Sequence, residues 1–541
     1  MKSSQDTGTL NLVWSQALVN GLVAAGVTHA VISPGSRSTP LALAMLRQSA
    51  LRCEIGIDER CAAFFALGIA KASRRPVLVL ATSGTAVANW LPALVEASLA
   101  GVPIIFISAD RPPELHGLGA NQTVPQAGLF DTYVRASHPL GVPEVGFNAS
   151  YLHALAARVV AQTSWPHPGP VHINQPFREP LVPENPVDSA PVPTAIQVSQ
   201  PFPQPESNAL TNLLSEISGQ PGLIVCGELV AENGLPEALT AVARYLDCPI
   251  LAEPTSGLRF GPHRRTHLLR AYNLWLDNLP HDAKPAWILR FGAAPVTRRL
   301  QSLLACHTGT MALVDPWPRW NDPFSRLTHL LHASPLATCR EIVARTLTPC
   351  PAGWNERWQT AERSTLKKHH AEPYAQLIPD LIRALPENCP VFVGNSLAIR
   401  ALDSYSGSDE KSLIFFANRG ASGIDGNVST ALGIAAWHGR VVALLGDLTF
   451  QHDMGGLVAA QGRNAVFVVV NNGGGRIFEH LPQVNLPEFE QGWLTPQKLD
   501  FQAAAATFGI MFARTSVGKT FSDAINGAIA KGGAHLIEVT F

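Results

Sequence analysis

The sequence predicts an α/β protein of three domains, each a mostly parallel sheet flanked by helices. Short β-branched runs alternate with helical patterns along the chain, which is the mark of strands joined by helical crossovers. Two proline-punctuated stretches interrupt that alternation, and 541 residues suffice for several cores. The first series runs AVISPGS, a helix from about Pro40, EIGIDE, ERCAAFFALGIAKAS, PVLVLATSG, a helix over 86–99, PIIFISADRPP and GPVHINQPF. The proline-dense stretch 180–205 that follows cannot hold a helix or a central strand. A second series has GLIVCGE, CPILAEP, AWILRFGAAP and TMALVDPW as strands. Residues 349–373 are polar and proline-punctuated, and PVFVGNS, LIFFANRG, VVALLGD, AVFVVVNN and HLIEVTF then form the third series. The expected division is 1–182, a linker at 183–206, 207–348, a second linker at 349–375, and 376–541.

Forty basic residues stand against 41 acidic ones, so no global field draws the chain to nucleic acid or an anionic membrane. Anion binding must be local. The first residues lack a continuous apolar run, and no stretch of eighteen apolar residues occurs, so neither a signal peptide nor stable membrane insertion is expected. A cytoplasmic location follows as the expectation. The eight cysteines show no CxxC or other metal spacing and read as reduced packing residues.

The most telling stretch is 441–475, VVALLGDLTFQHDMGGLVAAQGRNAVFVVVNNGGG. Asp447 closes one apolar run, and Asn471 and Asn472 close the next, with enough chain between them for one crossover helix. Their polar tips then share the sheet edge where open α/β sheets bind ligands. A lone GD is usually a turn and a lone NNGGG usually a flexible loop; their joint placement favours a site. The Asp447 carboxylate, the Asn472 amide oxygen and the Gly474 carbonyl form a hard, incomplete oxygen set suited to Mg²⁺ that also holds phosphates. Asn395 and Ser396, ending PVFVGNS, sit where backbone N–H groups and a hydroxyl can bind phosphate at a helix N-terminus.

Glu59 ends EIGIDE. It is either a helix-start carboxylate favoured by the dipole or a carboxyl in a low-dielectric crevice, suited to sharing a proton with a ring nitrogen. Six arginines lie in glycine- or proline-rich loops: Arg37, Arg111, Arg298, Arg299, Arg400 and Arg419. Each alone reads as a solvated surface residue; together they also fit a pocket for substrates carrying several carboxylates.

Together these residues resemble the thiamine-diphosphate-dependent 2-oxoacid enzymes, whose metal motif runs from a GD at one strand end to an NN at the next. The resemblance covers nearly the whole chain in that family's order of pyrimidine-binding, central and diphosphate-binding domains. SPGSRSTPL, TSGTAVAN, ADRPPEL, GANQ, GNS, NRGASGIDG and the IF after the NN loop resemble the branch that decarboxylates 2-oxoglutarate and adds the succinyl-semialdehyde carbanion to isochorismate, in menaquinone or phylloquinone biosynthesis. The resemblance implies thiamine diphosphate with Mg²⁺, or Mn²⁺ in its place, held by Asn395, Ser396, Ser422, Leu448, Asp447 and Asn472, with Gly474 as the third metal ligand. It implies that Glu59 hydrogen-bonds N1′ of the aminopyrimidine and that Ile424 is the wedge keeping the cofactor bent. Ser36, Arg37, Arg111, Gln122, Arg298, Arg299, Ser396, Arg400 and Arg419 would bind substrates, with Ile477, Phe478 and Leu481 as an apolar wall. It further implies a homodimer or homotetramer with sites between subunits. The chain departs from the general GDG motif at Leu448, and its central domain matches less closely. The rival reading is an acetolactate-synthase-like enzyme acting on small 2-oxoacids.

Overall fold

A computed structural model describes residues 6–229, 232–279, 281–368 and 371–541. Three six-stranded sheets follow one another along the chain, every strand pairing being parallel. The first holds β1 (His29–Ile32), β2 (Arg52–Ile55), β3 (Val77–Ala81), β4 (Ile104–Asp110), β5 (Ser137–Pro139) and β6 (Pro170–Pro176), in the order β2-β1-β3-β4-β6-β5. The second holds β7 (Gly222–Cys226), β8 (Ile250–Ala252), β9 (Leu268–Leu269), β10 (Trp287–Phe291), β11 (Thr310–Val314) and β12 (His329–Leu331), ordered β12-β11-β10-β7-β8-β9. The third holds β13 (Cys389–Val393), β14 (Leu413–Phe416), β15 (Arg440–Gly446), β16 (Asn464–Asn471), β17 (Met511–Thr515) and β18 (Ala534–Thr540), ordered β14-β13-β15-β16-β18-β17.

The third order repeats the first, position by position. In both, the connections leave in opposite directions from the pair formed by the first and third strands, and ligands of doubly wound sheets bind at that switch point, beyond the strands' carboxyl ends. Asn395, Ser396 and Asp447 follow β13 and β15; Ser36 and Arg37 follow β1, and Ser83 follows β3.

The first and third sheets share one core. The helix Glu59–Ser73 starts under an Asp58 cap, whose carboxylate accepts the Cys61 N–H at 3.1 Å, and buries ten successive residues from Cys61 to Ala70. It packs on the buried helix Asn427–His438. The contact is backbone-close: a Cβ on Gly68 would lie 2.1 Å from the Thr430 carbonyl oxygen, and one on Gly433 2.0 Å from that of Phe65.

The central sheet has its own core, built around Trp287, Trp354 and Trp358. Residues 183–206 carry neither helix nor strand. The stretch 349–375, expected to be a linker, contains instead the helix Trp354–Leu366. Trp354 and Trp358, one turn apart, share a face that is buried in the central core.

A buried latch joins the central domain to the third. Arg259 donates to the Ala252 carbonyl (2.6 Å), the Asp403 carbonyl (2.7 Å) and Ser406 Oγ (3.1 Å), and pairs with the Asp403 carboxylate, which also accepts the Tyr272 hydroxyl at 2.8 Å. Burial raises the Asp403 carboxyl, and the Arg259 charge opposes that rise. All eight cysteines are free, with only Cys306 exposed. No helix of the described residues is long and apolar enough to cross a membrane.

Candidate active site

At the carboxyl edge of the third sheet, Asp447 is 8% exposed. One carboxylate oxygen accepts the N–H groups of Gly473 (3.0 Å) and Gly474 (2.8 Å), and the other accepts that of Leu448 (2.8 Å). Burial pushes its carboxyl above the ordinary range, and only backbone dipoles oppose the rise. The two asparagines part company here. Asn471 donates to Glu538 (2.7 Å), which Arg514 also holds (2.7 Å), whereas Asn472 Oδ1 is buried with no hydrogen-bond partner. The Gly474 carbonyl accepts the Arg476 N–H at 2.9 Å and keeps a second lone pair. A buried carboxylate without a cation and an orphaned amide oxygen fit a hard divalent ion.

Gly474 has φ +123°, and a Cβ there would lie 2.1 Å from the Leu494 carbonyl oxygen. The substitution Gly474→Ala is therefore expected to displace the loop and weaken binding of a divalent ion at this edge by about 10–100-fold. A titration with Mg²⁺ followed by tryptophan fluorescence checks this; a wild-type curve would show that the loop absorbs the methyl group.

Beside this edge, Ser396 precedes the helix Leu397–Tyr405 at φ +67°, and its hydroxyl makes no cap. The Asn395 side chain is committed to bracing a loop: its amide donates to the carbonyls of Asn418 (2.9 Å) and Gly423 (2.7 Å) and its oxygen accepts from Arg419 (2.7 Å). Only its backbone is left for a phosphate. Arg400 donates to the Ser396 carbonyl at 2.7 Å. Its guanidinium is pushed below its ordinary range by burial first and by Arg419 next, so two cations converge on one place. The same loop carries Ser422, at φ +62°, and Ile424, 37% exposed. Among the described residues, Ile424 belongs to none of the hydrophobic cores.

The first sheet offers a second pair of cations. Arg37 is 6% exposed; it donates to the Phe177 carbonyl (3.0 Å), pairs with Glu179 (2.7 Å) and leaves Nε buried without a partner. Arg111 donates to Ser83 Oγ and is lowered by burial, then by Arg37. Gln122, held at φ +56°, donates to the Ser83 carbonyl at 2.8 Å, and Ser36 is exposed beside Arg37. Glu59 opens its helix half-exposed. Two apolar residues shortly before it are open, Ile55 being 58% and Ile57 80% exposed.

The description "Thiamine pyrophosphate enzyme, N-terminal TPP binding domain" matches residues 13–132, and its C-terminal TPP binding counterpart matches 403–539. A 2-succinyl-5-enolpyruvyl-6-hydroxy-3-cyclohexene-1-carboxylate synthase of Dechloromonas aromatica (strain RCB) is 58% identical over 536 residues, 99% of each chain. A synthase of the same name from Geobacillus kaustophilus (strain HTA426) is 40% identical over 97% of this chain and 94% of its own. One from Halobacterium salinarum (strain ATCC 29341 / DSM 671 / R1) is 39% identical over 98% and 95%. The chain belongs to this synthase family. It is a thiamine-diphosphate-dependent transferase.

Two of the arginines read from the synthase pattern belong to the central domain. Arg298 and Arg299 are exposed at the start of the helix Arg298–Cys306, and Arg299 is engaged by Asp277 and the Asn273 carbonyl inside the central domain. Ile477 and Phe478 are half-buried on the 3-10 turn Arg476–His480, with Leu481 exposed just after it. Ser83, which binds both Arg111 and Gln122, was missed from the candidate residues. Its signal was its position at the end of the strand run PVLVLATSG, where a hydroxyl meets the sheet edge.

Proposed function

We propose that the protein condenses 2-oxoglutarate with isochorismate to give 2-succinyl-5-enolpyruvyl-6-hydroxy-3-cyclohexene-1-carboxylate, in the route to menaquinone or phylloquinone. One carbon–carbon bond breaks with release of CO₂, one forms, and one proton is taken up. The observation that carries the reading is the pairing of arginines at both switch points, Arg37 lowering Arg111 and Arg419 lowering Arg400, with Arg111 bound to Ser83, Arg400 to the Ser396 carbonyl and Arg419 to Asn395. Two dicarboxylate substrates need such a receptor; the small monoanions of an acetolactate-synthase-like enzyme do not.

Asp447, Asn472 and the Gly474 carbonyl would hold Mg²⁺, or Mn²⁺ in its place, leaving positions for the diphosphate. Leu448, Ser422 and the Asn395–Ser396 backbone border that end. Thiamine diphosphate, when bound, supplies the nucleophilic carbon and the electron sink for decarboxylation. Glu59 would hold a proton at the pyrimidine ring nitrogen N1′, and Ile424 would be the apolar wedge against the cofactor. Arg37, Arg111, Ser36 and Gln122 on one side, and Ser396, Arg400 and Arg419 on the other, bind and orient carboxylates, and Ile477, Phe478 and Leu481 exclude water from the reacting carbon.

Each site lies between two subunits, with Glu59 from one and Asp447 from the other, so a homodimer is the least assembly and a homotetramer is compatible. Exposed Ile55 and Ile57 beside Glu59 support a covering partner. Free cysteines agree with a reducing cytoplasmic location. The test is an assay of 2-oxoglutarate with isochorismate, with and without thiamine diphosphate and Mg²⁺. Turnover is expected only in the complete mixture; no turnover there would overturn the substrate assignment.

A further inference from the structure

Glu96, on the helix Leu91–Ala100 of the first domain, is 2% exposed. Its two carboxylate oxygens accept the N–H groups of Gly420 (3.0 Å) and Ala421 (2.7 Å) in the third domain. Lys71 Nζ lies 3.4 Å from the same carboxylate and donates to the Ala417 carbonyl at 2.7 Å. The loop therefore touches this ion pair on both sides of Arg419. The fit is tight at the backbone as well: a Cβ on Gly420 would lie 2.7 Å from the Glu96 carbonyl oxygen and 2.8 Å from the Ala100 nitrogen.

A buried ion pair costs desolvation that its Coulomb attraction alone recovers poorly, and extra hydrogen bonds are what make it tolerable. Here the extra bonds all go to one loop of another domain. That loop also carries Arg419 and Ile424, whose positions matter at the sub-ångström level if they orient substrate and cofactor. We propose that the Lys71–Glu96 pair is a positioning device of the first domain that sets the Arg419–Ile424 loop for substrate binding. Glu96 touches neither substrate nor cofactor; it acts through the loop backbone, and for its kinetic effect the inference rests on the substrate role proposed for Arg419. The residues come from two domains, so the helix that follows β3 governs the geometry of a site built on β13 and β15.

The test uses the full-length enzyme and two variants. Glu96→Gln keeps the shape and turns one acceptor into a donor facing a backbone N–H; Gly420→Ala unseats the loop without changing charge. Amide exchange over 417–424 is expected to quicken at least about tenfold, with peptides of the central sheet unchanged. In steady-state kinetics kcat/KM falls about 10–100-fold, with KM raised for one dicarboxylate, the one Arg419 receives, and held for the other. Unchanged exchange at 420 and 421, or equal losses in kcat with both KM values held, would overturn the proposal. If Glu96→Gln fails to fold, Gly420→Ala gives the same two readings. Failure of the wild type to use 2-oxoglutarate would sink the substrate reading alone, because exchange reports the clamp without turnover.

Discussion

Replacing Glu59 by glutamine is expected to lower kcat by roughly 10²–10⁴-fold, the range removed with a general acid–base group. An amide of the same shape still accepts or donates one hydrogen bond, but it cannot share a proton with a ring nitrogen. The fold has no reason to fail: the helix is capped by Asp58, and its buried face begins at Cys61. Thermal melting should therefore stay at the wild-type value while CO₂ release from 2-oxoglutarate, followed at saturating thiamine diphosphate and Mg²⁺, nearly stops. Activity within tenfold of wild type would reduce Glu59 to a helix-start carboxylate and remove the proton-holding role.

The second large effect concerns stability. Arg259→Met leaves the Asp403 carboxylate buried beside Tyr272 and without its cation, a loss of about 3–5 kcal/mol for a broken buried pair. Because Asp403 shares the helix Leu397–Tyr405 with Arg400, the change should also loosen that arginine. A urea titration followed by tryptophan fluorescence reads the first effect as a lowered midpoint for separation of the central and third domains. The double variant Arg259→Met with Asp403→Leu should recover part of the loss, since apolar replacement of both partners is often near neutral. An unaltered midpoint in the single variant would mean that other contacts join the two domains.

What the sequence disclosed and what it hid follow from distance along the chain. The polar sheet edge was legible because Asp447, Asn472 and Gly474 are loop-end residues whose chemistry is local and whose strands are long apolar runs. The choice of Asn472 over Asn471 is visible in space as the pairing of Asn471 with Glu538. Trp354 and Trp358 were hidden by polar neighbours in WNERWQTAER, which disguised a helix with one buried face as a linker. The Arg259–Asp403 latch joins residues 144 positions apart, and nothing local to either residue announces the other. The matching strand orders of the first and third sheets were equally invisible, since short parallel strands carry no mark of their neighbours.

The core shared by the first and third sheets has a consequence for biosynthesis. The helix Glu59–Ser73 buries Phe64, Phe65 and Leu67 against residues that include Val428, Leu432 and Ile434. The ribosome delivers those partners about 360 residues later, a delay of roughly 20–70 s at ordinary elongation rates. During that interval the central domain can close around its own tryptophans, while an apolar helix already made waits uncovered. The nascent chain is thus a sticky half-product for most of its synthesis, and the order of domains along the gene makes it a natural client for chaperones that shield apolar surface.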